Sequence, residues 1–588
     1  MISLLRHFPK AILVSLFLFA LPMAHADSQL PLELSDKDVT TYRHIFVLQE
    51  DGKWGEADKA IKKLENRVLM GHILFQRYMH PTKYRSNYNE LASWMKKYAD
   101  QPNAWQVYNL AKKRQGKASA PRRPVETRYP GVTGQAAPNP PPTPNRSKSE
   151  ILEIASFTAD IRKNLKRGQL TRAEKYYWAM AHRNILTPHE SADALYQIAR
   201  YYFYEGNDVK AQGYSELGAD YSGNTVPSLY WIAAMTNWRH GNIATAREHF
   251  LSLTHSERAN DWLTAGAHFW AARAALRQKH PDEATEYLLK AAKYTETFYG
   301  MIAARQLGIK VEIDWSLPPL TEGHVTRLLT YPSIHRAIAL TQINQNNLAD
   351  EEIRLLWGRK GVSVQDDITV LAAKLNLPAI QLRLSRASGT GHPTPTALRY
   401  PLPDWAPAGG FTVDRAFIFA SIHQESGFQL RAKSGPGARG VMQITPATAR
   451  HISKDKPLLS QNRDKLYEPK YNIALGQHYI DYLQESDFVG GNLFMLLSAY
   501  NAGPGNLIKW KRDIDYNDDP LLFIETIPFR ETRHHIEIVM SNLWLYRMRL
   551  GQPTPSLDVL AEGGWPTLAR LDPDSAVLVA RLAQESGQ

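Results

Sequence analysis

The residue with the clearest capacity for chemistry is Glu425, which ends a strongly apolar run that begins at Phe417. The run has the composition of a buried helix. Burial disfavours the charged form of a carboxyl group, so a glutamate in such surroundings can act as a general acid near neutral pH. A lone glutamate at a helix end more often caps the helix or forms a salt bridge. The residues around Glu425 must therefore decide between the two interpretations.

Several short motifs follow Glu425 in a fixed order. Ser426 is the next residue, a glycine-rich stretch carries Ser434 and leads to 440–443, and two further blocks lie at 499–505 and 527–533. The last block reads Ile-Pro-Phe-Arg-Glu-Thr-Arg. Together these blocks resemble the catalytic domain of the soluble lytic transglycosylases, lysozyme-like enzymes that cleave peptidoglycan. The resemblance favours a catalytic role for Glu425.

The resemblance also implies a mechanism with one dominant acid, whereas most glycosidases use two carboxylates. Glu425 is expected to protonate the bridging glycosidic oxygen and then, as a carboxylate, to remove the proton of the C6 hydroxyl of the same N-acetylmuramic acid. That hydroxyl attacks C1 and closes a 1,6-anhydro ring, so water is not consumed. Neither a cofactor nor a metal is required.

Substrate-binding positions follow from the same motifs. A hydroxyl, an amide and a phenol are suitable hydrogen-bonding groups for sugar and N-acetyl oxygens. A glutamate in the last block is expected either to hold such a donor or to tune the acid. The sequence departs from the family pattern at His423, where Arg is commoner, and at Val441, where Leu is usual. The predicted substrate contacts are Ser434, Met442, Gln443, Tyr500, Asn501 and Glu531.

Other constellations are weaker. The stretch 513–517 begins like a calcium loop, but Asp518 stands where the loop needs Gly and Ile524 where it needs Glu. The pair His534 and His535 lacks a metal-binding pattern, because adjacent side chains on a helix diverge. The glycines of 435–440 are not followed by the Gly-Lys-Ser/Thr of a phosphate loop. The sequence therefore predicts no metal site.

Residues 1–26 have the pattern of a secretory leader. Arg6 and Lys10 precede an apolar run from Ala11 to Leu21, and cleavage is expected near Ala26. An uncleaved membrane anchor is the alternative, but the run is about half the roughly 20 residues of a spanning helix. The chain contains no Cys, so a lipid-carrying cysteine at the mature N-terminus is excluded. The predicted location is the periplasm, without a stable membrane anchor.

Composition and charge limit the partners. The 588 residues are 43% hydrophobic and 22% charged, as in ordinary globular proteins, and exceed what one core fills. The net charge is +12, of which Arg6 and Lys10 contribute two. A basic surface attracts anionic polymers, and export argues against nucleic acid. Glycan strands of peptidoglycan are the expected partner, with cell-wall synthetic enzymes as a further candidate class.

An internal repeat lies in the N-terminal half. Gly168, Gly206 and Gly241 each precede an Ala by five residues, Lys279 continues the series, and Gly52 begins an outlying copy. The interval of roughly 35–38 residues suits a two-helix unit in which Gly makes the turn and the small Ala lets the second helix pack closely. Such units stack into a curved array.

Aromatic residues are concentrated in the repeats. They include 201–204, Trp231, Trp238, Phe269 and Trp270. Aromatic residues at helical spacing usually form the core between helices, and this is the favoured interpretation. A platform on which glycan rings stack is the alternative.

The expected fold class is all-α: a superhelical array of helix pairs, a helical linker and a C-terminal lysozyme-like domain, joined in a ring or horseshoe. Clustered Pro and Gly mark the main boundary at 387–403, and a Pro-rich insertion interrupts the array. The predicted parts are a leader at 1–26, the array at 27–320 with an exposed Pro-rich loop at 118–149, the linker at 321–397, the catalytic domain at 398–552 and a tail at 553–588.

Three functions are weighed. The first is a lytic transglycosylase that turns over peptidoglycan. The second is a scaffold for cell-wall enzymes with a degenerate catalytic module, which would not need Glu425 together with Gln443, Tyr500 and Glu531. The third is a hydrolytic muramidase on the same fold, which would require a second carboxylate to activate water.

Overall fold

The computed structural model describes residues 29–129, 141–387, 393–454, 456–459 and 462–573. Within these ranges the chain is helical, and its β-structure is limited to isolated bridges. The all-α fold class is confirmed. No helix in this part of the chain is long and apolar enough to cross a membrane. The predicted leader at 1–26 and the last part of the predicted tail, 574–588, lie outside the described residues.

Five short helices open the described chain. Ser35 caps the first of them by accepting a hydrogen bond from the backbone N–H of Asp38, and Asn87 and Glu90 form a reciprocal capping box at the fourth. These helices agree with the helical pattern of the sequence. Their bounds are α1 Asp36–Glu50, α2 Trp54–Ile61, α3 Met70–Tyr78, α4 Tyr88–Tyr98 and α5 Ala104–Arg114.

The Pro-rich stretch is only partly the exposed loop that was predicted for 118–149. Its described residues before Lys148 contain no helix or strand. Residues 125–129 nevertheless dock on the helices: Val125 N donates to Ala99 O, and Arg128 N donates to Gly358 O, both at 3.0 Å. A Cβ at position 358 would lie 2.5 Å from the side chain of Thr127. This stretch is therefore held by hydrogen bonds to the carbonyls of Ala99 and Gly358 together with the buried side chains of Pro121 and Pro124.

Nine helices form the array. They are arranged in antiparallel pairs, with each helix packing on its neighbours in sequence. Their bounds are α6 Lys148–Lys166, α7 Leu170–Ala181, α8 Pro188–Tyr204, α9 Asp208–Ser222, α10 Ser228–Arg239, α11 Ile243–Thr254, α12 Asp261–Arg277, α13 Pro281–Ala291 and α14 Phe298–Gln306.

The repeat prediction is confirmed in its details. Gly168, Gly206 and Gly241 lie in the turns within successive pairs, with φ of 70°, 78° and 80°. Lys279 takes the same left-handed conformation at φ 63°, although a side chain disfavours it. The alanine five residues after each of them is fully buried or nearly so. One local rule, a left-handed turn followed by a small residue, thus generates the stack.

The aromatic residues of the repeats divide into two groups. Tyr202, Phe203, Trp238, Phe269 and Trp270 are buried in the array core, as the favoured interpretation predicts. Others, among them Tyr204 and Trp231, remain partly exposed where the array meets the catalytic domain.

The linker packs on the N-terminal helices and shares a hydrophobic core with them. Tyr42 and Ile45 of α1 lie in the same buried cluster as linker residues such as Ile338. A buried polar group adds to this interface: the Glu352 carboxylate accepts from Arg336 Nε at 2.7 Å and lies 2.8 Å from His72 Nε2. The linker helices are α15 Glu322–Leu328, α16 Pro332–Gln342, α17 Asn346–Lys360, a 3₁₀ turn at Gly361–Val364, α18 Gln365–Lys374 and α19 Pro378–Ser385.

The catalytic region surrounds one central helix, α21, which is hydrophobic or buried along almost its whole length. A helix that is apolar on all sides must be enclosed by its neighbours, and α27 runs against it. The helices are α20 Thr396–Arg399, α21 Arg415–Glu425, α22 Pro446–Ser453, 3₁₀ turns at Lys456–Leu459 and Arg463–Tyr467, α23 Pro469–Gln484, α24 Leu493–Ala502, α25 Pro504–Asp513, α26 Pro520–Thr526, α27 Arg530–Arg549 and α28 Pro555–Ala561.

The chain continues to pack on the catalytic region past the predicted domain end at 552. Beyond it, α28 buries Leu557 and Leu560, and the backbone N–H of Leu571 donates to the carboxylate of Asp414 at 2.8 Å. Asp414 is the N-cap of α21, so the segment predicted as a tail supports the central helix. The described residues up to 573 therefore belong to the catalytic region.

Contacts between the parts close the chain on itself. The rings of Phe298 in the array and Trp544 in α27 stack with centroids 5.4 Å apart. Arg273 pairs with Asp519 at 2.6 Å, and on the linker side Arg386 lies 3.3 Å from His423 Nδ1. The catalytic region thus contacts both the array and the linker, and the linker contacts the N-terminal helices, in agreement with the expected ring or horseshoe.

Candidate active site

Glu425 is the last residue of the enclosed helix α21. The backbone then reverses through Gly427 and Phe428, both with positive φ. The Glu425 side chain keeps 15% of its exposure, so it is largely shielded but can reach a ligand. Its surroundings are more polar than the sequence suggested, because an imidazole and a phenol lie beside it.

His535 of α27 is the hydrogen-bonding partner of this acid. Its Nε2 lies 2.8 Å from Glu425 Oε1, and its side chain is only 4% exposed. A neutral imidazole accepts a hydrogen bond at Nε2 from a carboxylic acid in one tautomer and donates one to a carboxylate in the other. The contact therefore suits both protonation states that a proton-transferring carboxyl group must pass through.

Tyr500 forms the next wall of the site. Its hydroxyl donates to Met442 O at 2.8 Å, and its ring is nearly parallel to that of His535. Burial and the nearby Glu425 carboxylate raise the pKa of the Tyr500 phenol well above its usual range. Tyr500 is therefore a neutral hydrogen-bonding group that also holds the backbone of the opposite loop.

That loop, 440–443, is held in place by buried hydrogen bonds. Asn472 of α23 accepts from Met442 N at 2.7 Å and donates to Arg439 O at 3.0 Å. Gly440 has φ +75°, and a Cβ there would lie 2.1 Å from Leu466 O, so no other residue fits. The Met442 side chain is buried and packs against Gly476, which leaves its backbone rather than its thioether near the cleft.

Gln443 and Ser434 both support turns. Gln443 has a positive φ of 48°, and its amide Nε2 donates to Gly440 O at 2.8 Å. Ser434 Oγ accepts from Ala438 N at 3.0 Å and so fastens the glycine-rich stretch. Both side chains are half-buried. Their predicted contacts with substrate stay predictions.

Asn501 and Glu531 approach the site from α24 and α27. Asn501 Oδ1 accepts from Thr532 Oγ1 at 2.7 Å, which joins the two helices. Glu531 is exposed in the first turn of α27, one turn before His535 and thus on the same helix face. The residue that contacts Glu425 from α27 is His535, and the expected role of Glu531 in holding a donor or tuning the acid stays a prediction. A substrate contact of Glu531 stays a prediction.

His535 is the site residue that sequence reasoning missed. The pair His534 and His535 was considered only for metal binding and set aside. The sequence offered one signal for His535, namely its position. It follows Glu531 by four residues, so the two side chains lie on the same helix face, and a Glu531 at the site would place His535 there as well.

His423, where the sequence departs from the family pattern, contacts core residues rather than Glu425. The ring stacks on Tyr400 with centroids 5.1 Å apart, and its Nε2 bonds Arg399 O at 2.9 Å. Asn542 Nδ2 lies 3.0 Å from its Nδ1. Burial lowers the pKa of His423 to about 3, so the ring is a neutral member of the core.

Comparisons with known proteins agree with the fold. Residues 406–521 match the family model described as the Transglycosylase SLT domain. The chain is 29% identical over 290 residues to the soluble lytic murein transglycosylase of Salmonella typhimurium and 28% identical over 302 residues to that of Escherichia coli K12. These alignments cover 48% and 50% of this chain, and 44% and 45% of the relatives. The chain thus matches less than half the length of these relatives.

Solved structures extend the likeness to almost the whole fold. The 70 kDa soluble lytic transglycosylase from Escherichia coli matches with a TM-score of 0.53 and 18% identity, over 90% of this chain and 99% of that one. An inactive mutant of the lytic transglycosylase Slt from Pseudomonas aeruginosa matches with a TM-score of 0.51 and 18% identity, over 89% and 88%. This chain therefore contains a transglycosylase SLT domain, with Glu425 inside it, and is homologous to the soluble lytic murein transglycosylases.

Proposed function

We propose that this protein is a lytic transglycosylase that cleaves the β-1,4 bond between N-acetylmuramic acid and N-acetylglucosamine in peptidoglycan and leaves 1,6-anhydro ends. The observation that carries the proposal is the shielded Glu425 at the end of α21, hydrogen-bonded to His535 rather than to a second carboxylate. One carboxyl group with a partner that accepts either protonation state suits a reaction in which the same group gives and then retrieves a proton.

In the first step, protonated Glu425 gives its proton to the glycosidic oxygen as the C1–O bond breaks. In the second, the carboxylate takes the proton of the C6 hydroxyl while that oxygen bonds to C1. The proton balance is zero over the cycle, and no water enters. His535 stabilises the carboxylate between the steps by donating from Nε2, since a hydrogen bond to a charged group contributes about 1.5–3 kcal/mol.

Tyr500 and the loop 440–443 are proposed to hold the sugars. The backbone of this loop is fixed by Tyr500 and Asn472, so it can present backbone groups to a saccharide without first being ordered. Ser434, Gln443, Asn501 and Glu531 are the further polar side chains proposed to contact the strand.

The biological setting is proposed from the same resemblance. A secreted chain with the leader 1–26 would act on glycan strands in the periplasm and contribute to cell-wall turnover, and cell-wall synthetic enzymes are candidate partners. The names of the two relatives, soluble lytic murein transglycosylases, support murein as the substrate.

The test is mass spectrometry of the products released from purified sacculi. Anhydro-muropeptides are expected with the native chain and none with Glu425→Gln. Reducing ends formed with uptake of one water would instead assign a hydrolytic muramidase. Binding to sacculi without any product, by a correctly folded native chain, would favour the scaffold.

A further inference from the structure

A second pocket lies where the array meets the catalytic region, on the face of α27 next to the one that carries His535. It has a volume of about 210 Å³, and helices α8, α10, α12 and α14 form one side while α26 and α27 form the other. His534 lines this pocket, whereas the adjacent His535 contacts Glu425. The two sites are therefore separated by one helix and lie close together.

Aromatic rings form the array side of the pocket. Tyr196, Tyr204, Trp231 and Trp262 all line it and are all partly exposed, in contrast to the buried core rings of the same helices. A ring open to a cavity offers a flat apolar face with a negative electrostatic potential. The C–H face of a pyranose sugar is apolar with partly positive hydrogens, so it complements such a ring.

Polar side chains form the catalytic side. Glu525 accepts a hydrogen bond from the Tyr299 hydroxyl at 2.5 Å, and Arg533 lies over the Tyr204 ring at 4.1 Å. Burial and the neighbouring Glu525 raise the pKa of the Glu537 carboxyl well above its usual range. A protonated carboxyl group both donates and accepts, which matches a sugar hydroxyl.

Carboxyl and guanidinium groups both line the pocket. Glu525 and Glu537 face Arg530 and Arg533. These groups supply hydrogen-bond donors and acceptors beside the aromatic rings, so a neutral polar ligand with apolar faces would use both walls. An N-acetylhexosamine has these properties.

We propose that this pocket is an accessory saccharide site that binds a neutral N-acetylhexosamine unit of a glycan, separate from the cleft at Glu425. The inference rests on the proposed function for the identity of the polymer. A strand held at both sites would be oriented by binding energy remote from the reacting bond.

The experiment measures binding rather than turnover, so its outcome is independent of the proposed reaction. Chitotetraose, a neutral oligomer of N-acetylglucosamine, is titrated into the Glu425→Gln chain by calorimetry. Trp262→Leu on that background is expected to weaken one binding event about tenfold, and Trp262→Phe, which keeps an aromatic face, by less than about threefold. Trp178→Leu is the matched control, since this array tryptophan is 39% exposed and lies outside the pocket.

An unchanged isotherm for Trp262→Leu would overturn the proposal. So would tryptophan-dependent binding of a free stem peptide in the absence of chitotetraose binding, because that would make the pocket a peptide site. Should Trp262→Leu fail to fold, Tyr196→Leu removes a second ring from the same wall. Labelling with 5-fluorotryptophan adds a local measurement: the resonance missing in Trp262→Phe is expected to shift on addition of chitotetraose, and its failure to shift would also overturn the site.

Discussion

Helix α27 carries two carboxyl environments on neighbouring faces, and they differ in their partners more than in their burial. On one face His535 meets Glu425, whose side chain is 15% exposed. On the other, Glu537 approaches Glu525, which is 4% exposed. An imidazole can exchange a proton with a carboxyl group, whereas a second carboxyl repels the charge and makes its neighbour keep the proton. The comparison teaches that the partner decides whether a shielded glutamate can cycle its proton.

The largest effect is expected from Glu425→Gln. The amide preserves the volume but cannot give and retrieve a proton, and general acid-base assistance is worth roughly 10²–10⁴ in rate. Release of anhydro-muropeptides should fall by at least about 100-fold, with an unchanged melting temperature as control. A variant with more than a tenth of normal activity would remove Glu425 from this role. The two carboxyl environments beside α27 would then no longer differ in proton transfer.

A smaller loss is expected from His535→Phe, which fills the space but removes the hydrogen bond. Loss of a hydrogen bond to a charged group corresponds to roughly a 10- to 100-fold fall in kcat, with KM changed much less. Because this bond stabilises the carboxylate, the pH–rate profile should also shift to higher pH.

His535→Gln restores a donor at this position and should recover part of the rate and of the profile. If His535→Phe and His535→Gln lose activity equally and neither moves the profile, His535 is a packing residue and the imidazole does not distinguish the two faces.

The sequence was sufficient for features that depend on local rules. The ordered motifs around Glu425 and Tyr500 predicted a single site, and the structure places these two side chains near each other. Gly206 and Gly241 predicted the helix pairs, because the turn residue and the small residue five positions later lie close together in the sequence.

Features that depend on distant packing could not be predicted. His535 and Glu425 are far apart in the chain, and no periodicity indicates that α27 brings them together. The packing of the segment after 552 is another such feature, because Pro553 and Pro555 suggested a tail. Pro555, however, stands in the first turn of α28, where its missing N–H costs nothing.

Glu531→Gln should have a modest effect on activity. The side chain is exposed one turn before His535, so it can contact a bound strand but has little to stabilise in the free protein. Loss of one such contact, worth about 0.5–1.5 kcal/mol, should raise KM roughly two- to tenfold with little change in kcat. A fall in kcat as large as that of His535→Phe would place Glu531 beside the acid after all.

The smallest effect is expected from Glu537→Gln. This is the same chemical change as Glu425→Gln, made in the second of the two carboxyl environments beside α27. The ordinary pKa of this side chain is 4.5, and burial with the neighbouring Glu525 raises it well above that value in the folded protein. Between these two values the folded state holds a proton that the unfolded chain has released, so its stability falls as the pH rises. The contribution is fully present below pH 4.5 and is lost as the pH passes through the raised value.

Glutamine carries no such proton and also relieves the repulsion on Glu525. The melting temperature of Glu537→Gln should therefore match the native chain near pH 4.5 and exceed it by several degrees at pH 8, whereas Glu531→Gln, exposed on the same helix, should show no such pH-dependent gain. A variant that is less stable than the native chain at pH 8 would mean that Glu537 is charged and paired, and the two faces of α27 would then hold their carboxylates in the same way.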